Sequence, residues 1–143
     1  MAIGSLQFRL HPQEHARPLT AYSIVIDGTE LVTSSVLQDD FEYLLSRHEQ
    51  MAVPGMRLDV LFTGATPFSV SIVNRHGSLL LRISDSFDGG VLEEPVDFSV
   101  LKTALAAFVD EFLGRPGLDA AVRAALGEAL ERFRAWQGPS FKG

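Results

Sequence analysis

The chain has no cysteine, which removes disulfides, thiolate zinc sites and cysteine nucleophiles at once. It also lacks any apolar run approaching the ~18 residues of a helical membrane span, so no membrane association is expected. The opening "MAIGSLQFRLHPQEH" has no basic segment leading into a long apolar stretch and does not read as a secretory signal, so a cytoplasmic location is the expectation. Basic residues are few and scattered, twelve Lys and Arg against eighteen Asp and Glu. The net charge of −6 opposes phosphate backbones, whose binders draw affinity from clustered Lys and Arg, and nucleic acid is not an expected partner. An acidic domain suits a basic protein partner, although the same charge also serves solubility.

Signatures of several chemistries are missing as well. There is no G-x-S-x-G elbow for a nucleophilic serine and no Walker or dinucleotide glycine pattern; "GATP" at 64–67 only punctuates two strands. No internal repeat or low-complexity tract interrupts the chain. No cofactor is expected.

What is present is the composition of a folded domain, 46% apolar and 21% charged over 143 residues. A chain of this length buries roughly 68% of the surface its unfolded form exposes and needs no covalent staples. The expected unit is a single domain over 1–138, with 139–143 as a frayed tail.

Periodicity then gives the elements. "SLQFRL" sets Leu6, Phe8 and Leu10 on one side of an extended segment and Gln7 and Arg9 on the other. "AYSIVID", a DG turn and "TELVT" predict a hairpin, because glycine accepts positive φ without strain. From residue 37 the spacing changes to three and four, with Leu37, Phe41, Leu44, Leu45 and His48 predicting a helix over roughly 37–51, capped by Ser35 or Asp39 and stopped by Pro54 and Gly55. "RLDVLF", "FSVSIVN" and "SLLLRIS" alternate again, with Leu58, Val60, Phe62, Phe68, Val70, Ile72, Leu79, Leu81 and Ile83 inward. Short links make such strands antiparallel neighbours.

Two helical stripes follow, Leu101 to Leu113 and Val122 to Trp136, divided by "GRPG". Gly114 is expected as a left-handed cap and Asp119 as the start of the second helix. The order β-β-β-α-β-β-β-α-α predicts an α+β domain, an antiparallel sheet of about five or six strands with three helices packed mainly on one face.

Three groups of residues are candidates for chemistry. "HPQEH" places His11 and His15 one helical turn apart with Glu14 between them, the spacing of an inverted zinc-hydrolase signature. Pro18 ends any helix there after about six residues, no third ligand is evident, and a solvent-exposed loop without metal is the preferred reading. A metal-dependent hydrolase is the alternative.

Acidic residues form the second group: Asp85, Asp88, Glu93 and Glu94 in "SDSFDGGVLEEP", with Asp39, Asp40 and Glu42 at the first helix. Their spacing does not fit a calcium loop. Asp88 before two glycines reads as a turn, with Glu93 and Glu94 near the start of the next helix, and the group is where a basic partner is expected to land.

The third group lies on the outer sheet face. Alternation points Gln7, Arg9, Ser23, Val25, Asp27, Arg57, Asp59, Leu61, Ser69, Ser71, Val73, Ser78, Leu80 and Arg82 away from the core. If Val25, Leu61, Val73 and Leu80 cluster, they make an apolar spot fit for a partner or a homodimer. His48 is expected at the polar edge of its helix's buried stripe or as a cation at the helix end, and His76 in an exposed turn.

The sequence of hairpin, helix at "DDFEYLL", strands ending in "SLLLRIS" and helix "LKTALAAFVDEFL" is similar to small stand-alone bacterial proteins that serve as immunity partners of polymorphic toxins. That resemblance implies a non-enzymatic protein that acts by binding another protein.

Overall fold

The computed structural model describes residues 2–11, 20–36, 38–60, 68–85, 91–115 and 118–138. Strands β1 (Leu6–Leu10), β2 (Thr20–Ile26) and β3 (Thr29–Val36) form one antiparallel sheet in that order. Helix α1 (Gln38–Arg47) follows and tightens into a 3-10 turn over His48–Ala52. Strands β4 (Arg57–Val60), β5 (Phe68–Arg75), β6 (Ser78–Asp85) and β7 (Val91–Pro95) form a second antiparallel sheet in sequence order. Helices α2 (Phe98–Leu113) and α3 (Ala120–Ala135) complete the described chain.

The α+β class holds, but the single sheet does not: there are two sheets of three and four strands. Their division has a local cause. Ile3 forms a parallel bridge with Val96, its N–H donating to the Pro95 carbonyl at 2.8 Å, which begins to join β1 to β7. The next two amides, of Gly4 and Ser5, turn instead to Asp27 Oδ1 at 2.9 and 2.8 Å. After one residue of pairing the chain has left β7.

Asp27 and Gly28 carry positive φ, 50° and 84°, so the expected DG hairpin forms. His76 and Gly77 do the same between β5 and β6, with φ 55° and 89°, in the exposed turn expected at His76.

Three further expectations change. Glu93 and Glu94 lie in a strand, not at a helix start, because β7 pairs with β6 along Leu80↔Pro95 to Ser84↔Val91. Its proline sits at the strand end, on a sheet edge where a missing donor costs nothing. Ser35 lies within β3 and Asp39 inside α1, so neither stands immediately before that helix. Gly114 is right-handed, with φ −78° and ψ −4°, its amide still bonded to the Asp110 and Glu111 carbonyls. Asp119 does cap α3, its carboxylate accepting the Ala121 amide at 2.8 Å.

Helix α2 lies on β1, α1 on β4, and α3 against both helices, so the inner faces of the two sheets share one core. Phe8, Tyr22 and Phe41 surround Phe108 with ring centroids 5.3, 5.2 and 5.1 Å away. The expected inward sets of β1, β5 and β6 are buried wherever their side chains are described, Leu6 being half-buried. In α3 only Leu126, Leu130 and Phe133 are fully buried, and Ala125 is exposed. No described helix is long and apolar enough to cross a membrane.

Candidate functional site

His11, at the end of β1, is drawn into the outer surface of the three-stranded sheet. Ser23 is buried there, donating its hydroxyl to Glu30 Oε1 at 2.6 Å, and His11 Nε2 lies 2.5 Å from the same hydroxyl oxygen. A serine has one proton to give; with its O–H donated to the carboxylate, its oxygen must accept from the imidazole N–H. The order is thus His to Ser to Glu, opposite to the direction in which a histidine activates a serine.

A bulge in β3 makes this line. Ile24 pairs with Val32 but Val25 with Glu30, so Leu31 is skipped and Glu30 is brought beside the outward residues of β2. Arg115, from the turn after α2, donates to the His11 carbonyl. His11 therefore acts as a fastener, with one ring nitrogen spent inside the protein. Glu14 and His15 lie outside the described residues, and among those described no group of three metal-ligating side chains occurs.

The outer face of the four-stranded sheet is the chemically richer surface. In register, Asp59, Ser71, Arg82 and Glu93 form one row across β4 to β7. Glu93 accepts from Arg82 Nη1 at 3.2 Å and pairs through its other oxygen with Arg75. Arg57 Nε donates to Ser71 Oγ at 3.2 Å, and the hydroxyls of Ser69 and Ser84 are 2.9 Å apart. Arg82 Nε is buried with no hydrogen-bond partner among the described residues. Three guanidiniums on β4, β5 and β6 are thus held in place while Arg57, Arg75, Ser78 and Val91 remain exposed.

The acidic residues do not assemble as expected. Glu93 is neutralised between two arginines, and alternation sends Glu94 to the opposite face. Asp39, Asp40 and Glu42 belong to α1, which lies at β4, the far edge of the sheet from β7. Three strand spacings, roughly 14 Å, separate those edges. Asp85 ends β6, and Asp88 lies outside the described residues.

Nor do the three described aliphatics of the expected spot share one sheet. Val25 belongs to the first sheet, while Val73 and Leu80 face each other in the second. Val25 and Leu80 are only 8% and 9% exposed, leaving little apolar area for a homodimer, and Leu61 lies outside the described residues.

His48 serves the core. Its Nδ1–H donates to the Leu45 carbonyl at 2.8 Å, and its ring meets Phe133 and Trp136 edge-on at 5.4 and 5.1 Å. Beside it runs an open groove of about 590 Å³ lined by Leu45, Ser46, Glu49, Arg132, Ala135 and Trp136.

Sequence periodicity assigns Arg57 and Arg82 to the outer face but gives no sign of the Arg82–Glu93–Arg75 clamp. That clamp needs β7, whose acidic pair conceals a strand. Comparisons with family models, curated proteins and solved structures find no match to this chain.

Proposed function

We propose that this protein is a non-enzymatic protein-binding module whose contact surface is the outer face of the β4 to β7 sheet. In its narrower form it is an immunity-type antagonist, occupying a toxin and blocking it by binding. One observation carries the reading: Arg75 and Arg82 are fixed by a shared carboxylate on a face where Arg57, Arg75 and Ser78 are exposed to an incoming surface. Side chains ordered before contact lose less entropy when a partner arrives.

Photo-crosslinking in the native host tests it. A photoreactive residue at Ser78, on this face, is expected to give one dominant adduct with another protein, whereas the same residue at Ala121, exposed on α3, gives none. Equal adducts from both positions, or none from Ser78, refute the assignment.

A further inference from the structure

Resting on that reading, we infer that the partner meets this face with an acidic segment, and that the chain's net negative charge misleads about its partner. The whole chain carries −6, but the face does not. Its register rows hold Arg57, Arg75 and Arg82 against Asp59 and Glu93, an excess of one positive charge. Binding responds to the local field, because charges beyond roughly 8–10 Å are screened at physiological salt.

The type of cation narrows the partner. The chain has ten arginines and two lysines, and the one lysine among the described residues, Lys102, belongs to α2 and not to this face. A guanidinium offers a planar fork of donors that matches a carboxylate. Arg82 has donors in hand: its bond to Glu93 is long at 3.2 Å and its Nε makes none among the described residues. A carboxylate that draws this head group outward satisfies those donors.

Phosphate would suit the same forks, but a nucleic acid would not suit the face. Besides Arg75, Arg82 and Glu93, its outward positions on β5 to β7 are Ser69, Ser71, Val73, Ser78, Leu80, Ser84, Val91 and Pro95, with no aromatic ring for a base to stack on. A basic partner would meet Glu93 already shared between two arginines.

The test uses the full ¹⁵N-labelled chain and three probes: a peptide alternating Glu and Thr, one alternating Lys and Thr, and a single-stranded DNA oligonucleotide. The Glu peptide is expected to shift amides of β5 and β6, to weaken as salt rises, and to lose at least about tenfold in affinity in Arg75→Glu and in Arg82→Gln. Arg75 is half-exposed, so Arg75→Glu tests the idea even if Arg82→Gln disturbs the fold. Stronger binding of the Lys peptide or the oligonucleotide, no binding of the Glu peptide, or indifference to Arg75→Glu overturns the inference. Mapping the adduct formed from Ser78 separates the two levels. A basic or apolar partner segment leaves a protein-binding face standing and removes the acidic partner; no adduct removes both.

Discussion

Phe108 is the ring on which Phe8, Tyr22 and Phe41 converge, so it ties β1, β2 and α1 to α2. Phe108→Ala deletes a ring that three others share and leaves a cavity that rigid neighbours cannot fill. A loss of about 3–5 kcal/mol in urea denaturation is expected, and a loss under about 1 kcal/mol would show that the cluster collapses without cost. Spacing alone placed Phe108 in a buried stripe, since period and burial are local properties. The role of His11 was not legible in the same way. "HPQEH" advertises a metal spacing, while the ring's actual partners, Ser23 and Glu30, lie on other strands and meet it only through pairing and a bulge.

The β5–β6 hairpin turns through His76 at φ 55° and Gly77 at φ 89°. Histidine tolerates that region less well than asparagine, which prefers it in two-residue hairpin turns. His76→Asn should therefore stabilise the protein by roughly 0.5–1 kcal/mol, part of the ~1–2 kcal/mol left-handed penalty. Calorimetry should show a higher midpoint; an unchanged or lower one would mean the imidazole makes a compensating contact. Both hairpins sit where glycine follows a residue able to take positive φ, which is why they were readable. Strand β7 was not, because "VLEEP" carries two acids and a proline, residues that local preference assigns to turns and helix starts. Pairing with β6 overrides that preference, and the Arg75–Glu93–Arg82 clamp was hidden along with the strand.

The α+β class follows from alternation, but the division into two sheets does not, because it turns on where the chain leaves β7. That departure is set by Asp27 reaching back to the Gly4 and Ser5 amides, a contact no periodicity encodes. The bridge it leaves, Ile3 to Val96, spans most of the sheet-forming chain and has a kinetic consequence. The hairpins on either side close over a few residues and can form early, whereas this seam must wait for a long loop to close. Ile3→Ala should therefore leave the refolding arm of a chevron nearly unmoved and raise the unfolding rate; a shift mainly in refolding would place the seam in the transition state. The lifetime of the native protein, as distinct from its equilibrium stability, would then be decided at a single buried isoleucine.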